Sequence, residues 1–222
     1  MTSIDDLMTE ARHKGPGPLA ALQRLKRPPA PPPLESCELC GLPLGPEHDH
    51  LFESADRRLY CCCGACAVLF PGQQGLRFQR VPRDVFALDD FQLSDATWES
   101  MSLPIDLAFF FLRGSPPAIT AMYPSPAGPV ESLLAIDTWQ DVVRGHPRLE
   151  RIEPEVEALL VNRVGKTREY YLAPIDRCFG LVGLIRKSWR GLSGGSKVWT
   201  EIAGFFDETR KRAVHRPGVK RA

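Results

Sequence analysis

The chain has 222 residues, of which 43% are hydrophobic and 25% charged, with a formal net charge of +1. That composition fits a globular protein of one ordinary domain plus a small module. Residues 209–222 hold six Lys/Arg and no Asp/Glu, leaving 22 basic and 27 acidic side chains elsewhere, so the mildly acidic body argues against a nucleic-acid-binding domain.

The N-terminal stretch lacks the basic-then-apolar pattern of a secretory signal. The longest uninterrupted apolar run, Leu107–Leu112, falls far short of the roughly 20 residues that span a bilayer. The expected location is the cytoplasm, where thiols stay reduced. Seven cysteines then point to metal, redox chemistry or packing rather than to disulfides.

In chain order, residues 4–12 and 18–27 suit short amphipathic helices, and "PPAPPP" at 28–33 is a stiff polyproline spacer. Residues 1–34 read as a flexible proline-rich arm. From 35 to 80 the pattern is one of knuckles and hairpins, with "RRLYC" and "GLRFQRV" as short strands. Residues 81–208 read as an α+β domain. "DLAFFFLR" at 106–113 is an apolar run of the kind found in a strand buried on both faces. Strands are expected at 118–123, 131–136 and 167–173, and a helix at 137–145 with Asp137 as cap and Gly145 as stop. "EVEALLVNRV" fits strand or helix. Ile175, Cys178, Val182, Ile185 and Trp189 recur at helical spacing and mark one buried face. "GLSGGS" ends that helix. Ser196 is the expected cap of the next, which turns Val198, Ile202 and Phe205 inward. The remainder, 209–222, reads as a basic disordered tail.

The chemistry lies in the cysteines. Cys37 and Cys40 in "CELCG" form one C-x2-C pair, and Cys63 and Cys66 in "LYCCCGACAVLF" form another 22 residues on. Two residues between cysteines let both sulfurs converge from one tight turn, and Gly41 suits the positive-φ position that follows. Two such pairs supply a tetrahedral sulfur site. A segment of about 45 residues is too small to hold itself together by its core, whereas structural zinc contributes about 10–16 kcal/mol. The expectation is a small zinc-ribbon-like four-cysteine module, anchored to the main domain by the apolar "AVLF" after Cys66. Zinc is the expected metal; iron, held as in rubredoxin, is the alternative. Cys61 can exchange with Cys63 as ligand, or join His48 and His50 in a second site. The plain reading of these three, and of Cys62, is packing or exposed loop. Cys178 reads as core. "LSGGSK" offers an anion-binding turn with Lys197, though capping explains it equally. No P-loop, G-x-G-x-x-G, H-E-x-x-H or G-x-S-x-G is present.

The phrases "CELC…HDHL…LYCCCGACAVLF", "IDLAFFF", "YPSPAG", "EALLVNR", "APIDRCFGLVGLIR", "WRGLSGG" and "VWTEIAGFF" resemble a bacterial family of unknown function encoded beside high-affinity, actinobacterial-type nickel–iron hydrogenase genes. The resemblance runs from about Cys37 to Phe206. It implies a protein partner, a hydrogenase subunit or its precursor, and no established activity. The positions that fit the family's phrase are Cys37, Cys40, Cys61, Cys63 and Cys66, with His48 and His50, while Cys62 is an extra. Two functions follow as expectations: a non-catalytic, metal-stapled accessory protein, or a small iron electron carrier.

Overall fold

A computed structural model of the chain describes residues 35–72, 78–114, 116–125, 127–133, 136–144, 146–190 and 194–215. The expectations for residues 1–34 therefore lie outside the described residues.

The run "LAFFFLR" becomes strand β5 (Leu107–Arg113), whose first five residues are buried. Alternation along a strand sends successive side chains to opposite faces. Phe109 and Phe111 enter one apolar cluster, while Ala108 and Phe110 enter another. A run with no polar alternation is thus the signature of a sheet covered on both sides. β5 is central in a six-stranded antiparallel sheet of order β4-β9-β8-β5-β6-β7. The other strands are β4 (Phe86–Ala87), β6 (Ala118–Ser125), β7 (Gly128–Leu133), β8 (Glu157–Asn162) and β9 (Glu169–Pro174). The ambiguous "EVEALLVNRV" resolves as β8, with four consecutive fully buried residues, Ala158 to Val161. β7 begins three residues earlier than the expected 131–136 strand.

Two C-terminal helices cover one face. In α4 (Ile175–Ser188), Ile175, Cys178, Val182 and Ile185 are buried as the spacing predicts. In α5 (Gly195–Arg212), the inward residues are Val198, Ile202, Phe206 and Thr209. Phe206 completes the i, i+4, i+8 stripe, and Phe205 only flanks the cluster. Gly194 caps α5 in a left-handed conformation, φ +82°, so Ser196 stands inside the first turn rather than before it.

The opposite face is covered by α2 (Asp95–Ser100), α3 (Ile136–Val143) and a 3-10 turn, Leu149–Arg151. They contribute Trp98, Trp139, Val142, Val143 and Leu149. α3 begins before Asp137, and Gly145 lies outside the described residues. Ser94 supplies the start signal of α2, since its Oγ accepts the Thr97 N–H at 3.0 Å. Buried Arg163, after β8, holds α2 through an ion pair to Asp95 and a 2.7 Å bond to the Leu93 carbonyl.

A second sheet, of order β2-β1-β3, is formed by β1 (Asp49–Glu53), β2 (Arg58–Cys62) and β3 (Phe78–Arg80); residues 73–77 are not among the described ones. Its Phe52, with Val81 just beyond β3, is buried in the helix-side core, and the chain from Glu35 onward clusters as one unit.

The basic end differs from the expected disordered tail over its first residues. α5 continues to Arg212, Val214 forms a parallel bridge to Phe86, and His215 pairs with Asp89 at 2.9 Å. Two of the arginines there are partnered: Arg210 binds Glu169, and Arg212 binds Glu47 at 2.7 Å. Residues 216–222 lie outside the described residues.

A four-cysteine candidate metal centre

Cys37 and Cys40 sit on a tight knuckle. Ser36 and Pro43 bridge across its base, the Cys37 N–H donates to the Leu42 carbonyl at 2.8 Å, and the Gly41 N–H returns to the Cys37 carbonyl at 2.8 Å. Gly41 takes φ +77°, as the spacing predicts. The turn aims backbone amides at sulfur: Cys37 Sγ accepts from Leu39, Cys40 and Cys63, and Cys40 Sγ accepts from Leu42.

The second pair is presented differently from the expected facing knuckle. The β1–β2 hairpin delivers Cys63 to the N-cap of α1 (Gly64–Leu69), in extended conformation at φ −77°, ψ 159°. Cys66 follows in the helix's first turn, where a spacing of three places both side chains at the helix entrance. The arrangement is knuckle, hairpin, helix. Glu38, between the knuckle cysteines, clamps it to the outer strand: its N–H donates to the Cys61 carbonyl at 2.9 Å, and its carboxylate accepts the Cys61 N–H at 2.8 Å and pairs with Arg58.

The four sulfurs lie within 4.8 Å of one another. The Cys40–Cys63 separation is 3.7 Å. Thiolates about 2.3 Å from a tetrahedral ion stand about 3.8 Å apart, so the edge length fits. Protons are held unequally across the set. Burial raises the Cys37 thiol, but the N–H groups of Cys63, Leu39 and Cys40 outweigh it and bring the pKa down to about 6. Cys66 is pushed up by burial and by hydrogen bonding to the Cys63, Cys40 and Cys37 thiols. A cation that takes the place of those protons meets a thiolate already favoured at Cys37. Cys37, Cys63 and Cys66 are buried and Cys40 is exposed.

His48, His50 and Cys61 also converge, each offering a ligand atom within 4.8 Å of the others. His50 and Cys61 are direct partners in the β1–β2 register. His48, two residues before His50, brings its ring to 4.7 Å from it. Burial first, then the carboxylates of Glu35 and Glu38, raises the Cys61 thiol.

Cys62 points the other way. Its thiol is buried and donates to the Asp49 carbonyl at 3.3 Å; burial pushes its pKa up to about 12, the state of a packing residue. Cys178 is likewise buried beneath the sheet and raised by burial. The "AVLF" segment does not act as the expected anchor. Ala67 is buried, but Val68 is 72% exposed, and Phe52 and Val81 reach the main core instead. In "LSGGSK", residues 192 and 193 are not described, Gly194 caps α5, and Lys197 pairs with Glu201 at 3.9 Å. Sequence reasoning missed Asp176 on α4, whose carboxylate lies 2.8 Å from His50 Nδ1. No local signal marks it, because 126 residues separate the two.

A family model described as "Family of unknown function (DUF5947)" matches residues 36–213. The chain belongs to that family. The match spans both sheets, the C-terminal helices and all of the cysteines. Searches of curated proteins and of solved structures give no significant match. The DUF5947 description names no activity, so the site's own chemistry has to carry the functional reading. No helix among the described residues is long and apolar enough to cross a membrane.

Proposed function

We propose that this DUF5947 protein is a non-catalytic, zinc-stapled accessory protein that acts in the cytoplasm by binding a protein partner. The observation that carries the reading is the convergence of Cys37, Cys40, Cys63 and Cys66 within 4.8 Å, with an edge length suited to a tetrahedral thiolate site. Four protein sulfurs close the coordination sphere, which is the arrangement of structural rather than catalytic zinc.

The metal's work is mechanical. Among the described residues, the cluster around the cysteines contains only Leu44 and Leu51 as large, fully packed aliphatic side chains, worth about 3–6 kcal/mol together. Zinc supplies about 10–16 kcal/mol, and fixes the knuckle and α1 in one orientation. That rigid edge displays Leu42, 54% exposed beside the knuckle, and Val68 after Cys66. A prefixed apolar edge binds a partner at low ordering cost. The partner we assign is a nickel–iron hydrogenase subunit or its precursor, on the resemblance of the sequence phrases to a family encoded beside such genes.

The test is affinity purification from cells expressing the hydrogenase, with the wild-type chain and with Leu42→Asp/Val68→Asp. Co-purification of a subunit that the double variant loses, together with impaired hydrogenase maturation in a deletion strain, is the expected result. A deletion strain with normal maturation and no co-purifying subunit refutes the accessory role. One observation favours the rubredoxin-like reading: Cys40 reaches the surface, giving an iron centre a solvent-facing edge for electron transfer. A red protein with a reversible one-electron couple would establish it.

A further inference from the structure

The His48–His50–Cys61 cluster has features that a chance meeting of side chains would not explain. His48 Nδ1 lies 3.0 Å from the Gly45 carbonyl, and His50 Nδ1 lies 2.8 Å from Asp176. A carbonyl can only accept, and so can a carboxylate, so each ring carries its proton on Nδ1. Nε2 is then the ring atom that each histidine offers to a further partner.

The His48 side chain is 8% exposed, and its Nε2 is buried with no hydrogen-bond partner. A buried ring nitrogen left without a partner is costly, and a cation held between the imidazoles would complete it. Metal-binding histidines show this division of labour: one nitrogen donates to a carbonyl or carboxylate that fixes the ring, and the other faces the ion. The third member, Cys61, is brought in by the strand register opposite His50. Glu35 places a carboxylate 3.6 Å from His48 Nε2. A cavity of about 180 Å³ has His48, His50 and Asp176 in its wall, together with Arg83, Arg177 and Arg212.

We propose that His48 Nε2, His50 Nε2 and Cys61 Sγ form a second metal site, for a divalent transition ion of borderline softness in the zinc and nickel class. Imidazole with thiolate selects such ions over calcium or magnesium. Three protein ligands leave a fourth position for an exchangeable group, in contrast to the closed four-sulfur site. Asp176 is a positioning residue that holds the His50 ring from α4. It links this site to the main domain. No residue is shared between the two sites, so this proposal stands or falls separately from the zinc staple.

The experiment is a calorimetric titration of the full-length protein, as purified, with nickel(II) and in a parallel arm with zinc(II), followed by absorption spectroscopy of the nickel form. Wild type should take up one equivalent beyond the metal it is purified with, and the nickel form should show a thiolate charge-transfer band. Cys61→Ser should abolish the band, and His50→Gln should weaken uptake at least tenfold. Asp176→Asn should weaken it about 10–100-fold. All three variants should retain the metal present on purification, which shows that they fold. Loss of that metal in Cys40→Ser with nickel uptake intact supports two independent sites. If wild type takes up no additional equivalent of either ion, the proposal is overturned. Uptake that is unchanged in both Cys61→Ser and His50→Gln overturns it as well.

Discussion

Replacing Cys40 by serine removes one of four sulfurs from the knuckle without disturbing the six-stranded sheet. Cys40 is exposed, so the substitution leaves no cavity. Its effect reports ligation rather than packing. Two 2.8 Å hydrogen bonds close the knuckle, Cys37 N–H to the Leu42 carbonyl and Gly41 N–H to the Cys37 carbonyl. Such bonds are worth only about 0.5–1.5 kcal/mol each. A structural zinc contributes about 10–16 kcal/mol, and losing even about 4 kcal/mol of that opens the knuckle about a thousandfold more often. Native-state hydrogen exchange of the Cys37, Gly41 and Leu42 amides, read beside metal content, makes the measurement. Their exchange should accelerate about a thousandfold or more, while the β5 and β8 amides, which report the main sheet, change little. Stoichiometric metal with unchanged protection of those three amides would mean that Cys40 is not a ligand.

Three further outcomes follow from the fold. Phe110 is buried with its ring 6.2 Å from both Trp98 and Trp139, so Phe110→Ala should cost about 3–5 kcal/mol by denaturant titration. At Gly194, φ +82°, an added Cβ would sit 2.7 Å from Val198 Cγ1 and 3.1 Å from the Trp189 ring. Gly194→Ala should therefore destabilise the fold by at least about 1–2 kcal/mol of left-handed strain, read as a lower thermal midpoint. Burial raises the Glu157 carboxyl above its ordinary value, so the folded state disfavours the carboxylate and loses stability as pH rises through the folded pKa. Glu157→Gln should therefore raise the thermal midpoint at neutral pH, and the gain should vanish below the unfolded carboxyl's value, about pH 4.

Much of this architecture was legible because it rests on local pattern. "LAFFFLR" announces a doubly covered strand, and the spacing from Ile175 to Ile185 announces one buried helix face. The C-x2-C spacing identified the four sulfurs that converge, and Gly41 was placed by its position after the knuckle. What the pattern concealed depends on partners distant in sequence. Cys63 and Cys66 suit a knuckle or a helix entrance equally well, and the preceding hairpin decides between them. Val68 and Leu69 look like an anchor but are exposed, because Phe52 and Val81 already fill the place against the main core. Thr209 to Arg212 look like tail but extend α5. There Thr209 is buried and accepts from Arg177 at 2.7 Å, and Glu169 and Glu47 neutralise the arginines. Asp176 gains its place at His50 only through tertiary structure.

The proposed closed four-sulfur zinc site can be read by metal-edge X-ray absorption on Cys61→Ser protein purified without added metal, since that variant leaves only the four-cysteine cluster intact. The account predicts one zinc per chain surrounded by four sulfurs at about 2.3 Å. Substoichiometric metal, a shell dominated by nitrogen or oxygen, or iron in place of zinc would contradict it.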